Sequence, residues 1–312
     1  MADSGLRNAV NITAVLIDVI LPVFVIIGVG ALTGRWLGLN VQTLSRSVLY
    51  IFGPALVFRS LLTTELSAQD AGQIVAFYLV TSVVMGVIAW GMTRALRFDA
   101  VQSNAFLLTT LLINTGNYGL PVNLFAFGNP GLERAIIFFA TASVLTNTVG
   151  IYIAARGHAE PRQALRNVFR LPLIYAVAVA LVLRVAGITS LPHVLFRPID
   201  LLADAAVPVL LLALGIELSR TTFDRELWAV GLATAMRLVV AAVVAGVIAT
   251  LMGLQGLTRQ VCIVEASMPT AVMSVVLAVE FDTRPRFVTS VVFISTLASL
   301  VTLTILLSVI TR

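Results

Sequence analysis

The chain has 312 residues and a formal net charge of +5, with 59% hydrophobic and 11% charged residues and a mean hydropathy of +1.02. A soluble domain carries about a quarter charged residues, so this composition excludes an ordinary globular protein and points into a membrane. All 20 basic residues are Arg and none forms a patch interleaved with aromatics, which excludes a nucleic-acid partner; the lone Cys262 excludes an intrachain disulfide and a Cys-based metal site.

Ten apolar runs follow one another, near 14–33, 41–63, 71–93, 102–127, 132–155, 168–187, 198–219, 230–252, 257–280 and 287–310. Each is about the length that crosses a hydrocarbon core as helix, and none shows the alternation of a membrane β-barrel. The first run is too long for a signal-peptide core and ends in Gly34, Arg35 and Trp36 without a cleavage pattern, so it reads as span 1. The loops after spans 1, 3, 5, 7 and 9 hold Arg35, Arg46, Arg94, Arg97, Arg156, Arg162, Arg166, Arg170, Arg220, Arg225, Arg284 and Arg286. The other side holds only Arg7, Arg134, Arg197, Arg259 and Arg312. The positive-inside rule therefore places both termini on the non-cytoplasmic side of a cell (inner) membrane. The loop 156–167 is the most basic and suits anionic headgroups.

Span 4 contains "LLINTGNYGLPVNLF", an apolar helix interrupted by amides, glycines and a proline. Span 9 contains "EASMPTA" at 265–271 in the corresponding place. Pro22 pairs in the same way with Pro172, Pro54 with Pro208, and Pro121 with Pro269, at offsets of about 150 residues, which indicates an internal repeat. Each half has five helices, an odd number, so the second half enters from the opposite face. The expected fold is all-α and integral to the membrane. It has ten transmembrane helices as a 5+5 inverted repeat, with broken helices 4 and 9 crossing. Residues 1–155 form the first repeat, 156–167 the cytoplasmic loop and 168–312 the second repeat. Unwound backbone at membrane depth is tolerated only against protein or a cavity, so the interruptions line a binding site. Half-helix N-termini there suit an anion and unwound carbonyls a cation.

The motifs "NTGNYGLPV" and "MPTAV" in a ten-helix chain resemble the auxin efflux carrier family in its short bacterial form, within the fold of the bile-acid:sodium symporters. The resemblance implies a secondary transporter of small organic anions such as dicarboxylates. It implies a panel of helices 1, 2, 6 and 7, and a core of helices 3–5 and 8–10. Carried over, Asn114, Thr115, Gly116, Asn117, Gly119, Pro121, Pro269 and Thr270 form the solute site. Glu265, Met268, Asn114, Thr115, Ser143 and Asn147 are a candidate sodium set, since the sodium branch has an acidic ligand at the place of Glu265 and a polar pair on helix 5. The plant carriers do not depend on sodium, and a proton on Glu265 is the rival.

Ser143 and Asn147 share a helix face, as do Ser295 and Ser299 in span 10, and interhelical hydrogen bonding explains such pairs equally well. Arg237 has two readings: a partner for a carboxylate solute, or a snorkelling side chain near the cytoplasmic surface if span 8 begins late, near Leu232. Arg59, Arg184, Asp18 and Asp204 read as interfacial. His158 and His193 lie in loops without metal-binding partners. With no hydrolase elbow, P-loop or paired catalytic carboxylates, the sequence does not read as an enzyme. It calls for no cofactor beyond sodium as a coupling ion. The partners are the solute and the lipid, with a homodimer as a candidate assembly. A sodium/proton exchanger, needing a denser acidic cluster, and a passive channel or membrane sensor are the other classes.

Overall fold

A computed structural model describes residues 12–155, 169–220, 224 and 226–311; the loop 156–167, His158 and Arg7, Arg156, Arg162, Arg166, Arg225 and Arg312 lie outside the described residues. The described residues are helices and connecting turns, with a single isolated β-bridge. In chain order the helices are α1 (Ile12–Trp36), α2 (Val41–Thr63), α3 (Ala68–Ala95), α4 (Ala100–Leu111), α5 (Thr115–Ala154), α6 (Pro172–Val185), α7 (His193–Leu218), α8 (Leu227–Leu251), α9 (Gly256–Ala266), α10 (Met273–Glu280) and α11 (Pro285–Ile310). Seven of them, α1, α2, α3, α5, α7, α8 and α11, are long and apolar enough to cross a membrane. Their outward faces carry Val25, Val29, Val83, Val87, Val243, Val247, Val301 and Ile305, all exposed, as a lipid-facing surface would be.

The expected spans 4 and 5 are divided differently from the sequence reading. The first half of span 4 is α4. Its second half runs on into span 5 as α5, which bends at Gly128, where φ is 65° and ψ −161°. That backbone region is open to glycine alone, and Pro130 follows where the helix must restart. We expect Gly128→Ala to destabilise the fold by about 1–3 kcal/mol, read as a lower midpoint in thermal unfolding in detergent. Span 9 is likewise two helices, α9 and α10, separated at 267–272.

α1 lies along α7, and α2 packs on α6 and α7; α5 packs on α3 and α9, and α8 on α11. Arg59 of α2 is part of this packing and not a lone interfacial charge. It pairs with Asp204 at 2.6 Å and Asp200 at 3.3 Å on α7. Arg184 of α6 donates to the carbonyls of Leu61, Leu62 and Thr64, where α2 ends. A cation at a helix C-terminus meets carbonyls that have no donor of their own.

Candidate solute cavity at the meeting of two helix interruptions

The interruptions in α4–α5 and α9–α10 meet. Leu112 is extended, with φ −84° and ψ 112°, and Asn114 is non-helical at φ −78° and ψ 59°. Ile113 and Thr270 form an antiparallel bridge. The Asn114 N–H donates to Pro269 O at 2.9 Å and the Ala271 N–H to Leu112 O at 2.8 Å. The Thr270 hydroxyl donates to Thr109 O at 2.7 Å, and its N–H donates to Ser295 Oγ of α11 at 3.2 Å. The two unwound segments thus satisfy one another's backbone, as buried chain at this depth must. The helix resumes at Thr115 in a wide turn, closed by the Gly119 N–H on Asn114 O at 3.0 Å. Pro121 lies in the resumed helix, after its wide first turn, so the break falls before the proline and not at it.

Beside the meeting point is a cavity of about 250 Å³. One wall carries Asn114, Thr115, Gly116 and Asn117 from the start of α5, Ala271 to Met273 at the start of α10, and Ser143, Thr146 and Asn147 from the far arm of α5. The lining from α2 and α7 is mostly apolar, with Leu56 and Val57 of α2 and Leu210 and Ala213 of α7, and carries the Ser45 hydroxyl of α2. Among the described residues that line it there is no Asp, Glu, Arg or His. α5 and α10 both start beside this space and each helix start carries partial positive charge, with the Thr115 N–H already on Ile113 O and the Ser274 and Val275 N–H groups on Ala271 O and Val272 O. Asn114 is buried, and its Nδ2 has no partner among the described residues. Ser143 donates to Phe139 O, and Asn147 Nδ2 to Ser143 O, both at 2.8 Å within their own helix.

Glu265 lies elsewhere. Its side chain is fully buried, with Oε1 accepting from Asn123 Nδ2 at 2.9 Å and Oε2 without a partner among the described residues. It fits because position 119 is glycine: a Cβ there would stand 2.6 Å from Oε1. Of the residues expected to hold sodium, the structure brings Asn114, Thr115, Ser143 and Asn147 around the cavity, whereas Glu265 and Met268 are not among its lining. Met268 is buried, with its N–H on Glu265 O at 3.2 Å. Ser295 and Ser299 are buried too, the first on Thr270 and the second 3.1 Å from the Tyr118 hydroxyl. Asn123 went unremarked in the sequence. Its signal is its place one turn after Gly119, and its Oδ1 is also buried without a partner among the described residues.

Arg237 corrects the snorkelling reading. α8 begins at Leu227 and not near Leu232, which sets Arg237 about three turns inside the helix. The residue is 1% exposed, and it donates to Thr110 O at 2.8 Å and to Ala266 O. It does not line the large cavity. Cys262 is buried, as a small apolar filler would be. No group of three or more His, Cys, Asp or Glu that could hold a metal exists among the described residues.

A family model described as membrane transport protein matches residues 15–307. An uncharacterized transporter of Methanothermobacter thermautotrophicus is 27% identical over 265 residues, covering 85% of this chain and 87% of its own. Another, from Methanocaldococcus jannaschii, is 25% identical over 293 residues, covering 91% and 95%.

Proposed function

The chain belongs to the membrane transport protein family, and from that premise we propose that it is a secondary carrier of a small organic carboxylate. The observation that carries this reading is the cavity: two helix starts and a set of amides and hydroxyls face a space lined, among the described residues, by no charged side chain. A carboxylate there is met by the positive ends of two helix dipoles and by Asn114 Nδ2, without an opposing fixed charge. The volume suits a molecule of a few carbons, below the range for drug-sized ligands. The carrier works by alternating access on a ten-helix, 5+5 inverted-repeat plan in which α1, α2, α6 and α7 are the panel and the remaining helices the core. The packing of those four helices on one another supports that division. Both termini face away from the cytoplasm, and a homodimer is the candidate assembly.

The test is counterflow. Purified protein in liposomes preloaded with an unlabelled carboxylate should take up the labelled one faster than empty liposomes do. A panel of mono- and dicarboxylates then ranks the solutes. Uptake that is indifferent to preloading describes a channel and removes the carrier reading. Ion flux without any organic solute would favour an exchanger.

A second element is cation coupling at Glu265, which the two unpartnered oxygens of Glu265 and Asn123 favour. A carboxylate buried without a counter-charge is costly, so it holds a cation in at least one state of the cycle. Sodium is the ion that the family resemblance favours, and a proton is the alternative.

A further inference from the structure

α4 and α9 end side by side. In an α-helix the Thr110 carbonyl would accept from the N–H of residue 114 and the Ala266 carbonyl from that of residue 270. Both donors have left. The Asn114 N–H is on Pro269 O and the Thr270 N–H on Ser295 Oγ. Two buried carbonyls at two helix C-termini are therefore short of donors, and each helix end carries about half a negative charge. Together that is close to one negative charge in a region that excludes water.

One side chain meets both. Arg237 donates Nη1 to Thr110 O and Nη2 to Ala266 O, restoring both lost hydrogen bonds with a single positive charge. No carboxylate pairs with it among the described ion pairs. Beside it are Thr81 Oγ1, buried without a partner among the described residues, and the side chains of Tyr78 and Ser82. Carbonyl and hydroxyl oxygens gathered at helix C-termini are the ligand type of a monovalent cation.

We infer that Arg237 is a built-in cation of the crossing: its guanidinium fills a monovalent-cation position formed by the Thr110 and Ala266 carbonyls, so this position takes no ion from solution. The position is separate from Glu265. The inference rests on backbone geometry and does not depend on which solute is carried, so a failed transport assay leaves it standing.

The experiment is thermal unfolding of purified protein in sodium chloride and in choline chloride at equal ionic strength. It is done on Glu265→Gln, so that any sodium held at Glu265 is out of the comparison. With Arg237 intact, this protein should melt at the same temperature in both salts. Adding Arg237→Gln should lower the midpoint in choline, and sodium should restore about 5 °C or more of it at roughly a hundred times the Kd. Glu265→Gln with Arg237→Lys keeps the charge and should respond to sodium no more than Glu265→Gln alone. A merely structural arginine would give the glutamine variant equal losses in both salts, and that result overturns the proposal. A sodium-specific gain in Glu265→Gln with Arg237 in place overturns it as well, and needs no folded Arg237 variant to be seen.

Discussion

Glu265→Gln is expected to abolish ion-driven accumulation of the solute, by at least about tenfold, while the chain still folds. The glutamine carbonyl can accept the Asn123 Nδ2 hydrogen bond that Oε1 accepts now, so the local packing is kept. What disappears is the charge, and with it the reason for a cation to bind. If the ion is sodium, the wild type should melt higher in sodium than in potassium at equal ionic strength. A ligand at a hundred times its Kd stabilises the folded state by about 2.7 kcal/mol, and the glutamine variant should lose most of that difference. If the wild type melts identically in the two salts and an imposed pH gradient drives uptake, the ion is a proton. Accumulation by the variant equal to that of the wild type under both gradients would remove Glu265 from the coupling reading.

Asn114→Ala and Asn117→Ala should each cut carboxylate uptake by about ten- to a hundredfold, the loss of a buried hydrogen bond to a charged group being about 1.5–3 kcal/mol. Among the described residues the Asn114 amide nitrogen has no hydrogen-bond partner, so the substitution breaks no bond made by that nitrogen. The melting temperature of Asn114→Ala should therefore stay near that of the wild type while uptake collapses. Normal uptake by both variants would move the solute away from the α5 helix start.

Much of this arrangement is legible in the sequence, because an apolar helix has no local reason to hold Asn114, Gly116, Asn117 and Gly119 within one and a half turns. The same holds for Ser267, Pro269 and Thr270. Where the helices break, and that the two breaks adjoin, follows from residue types that cannot be left unsatisfied in lipid. Other features are not local. Arg237 reads as a snorkelling side chain until the start of α8 is known, and its role depends on two carbonyls more than a hundred residues apart in the chain, at Thr110 and Ala266. Arg59 and Asp204 look like separate interfacial charges, and only the packing of α2 on α7 joins them. Asn123 looks like one more amide after a motif, and its meaning comes from Glu265 on another helix.

The hydrogen bonds joining Asn114 to Pro269 and Ala271 to Leu112 have a mechanical consequence. They tie the polar lining of the cavity, from both halves of the chain, into one piece, while the lining from α2 and α7 is greasy at Leu56, Val57, Leu210 and Ala213, with Ser45 as its hydroxyl. On the carrier reading proposed above, a solute held by the polar lining rides with it as α2 and α7 slide past, since that side offers few directional contacts. The solute's grip then changes little along the route, and the height of the climb is set by how readily leucine and valine side chains shear over one another.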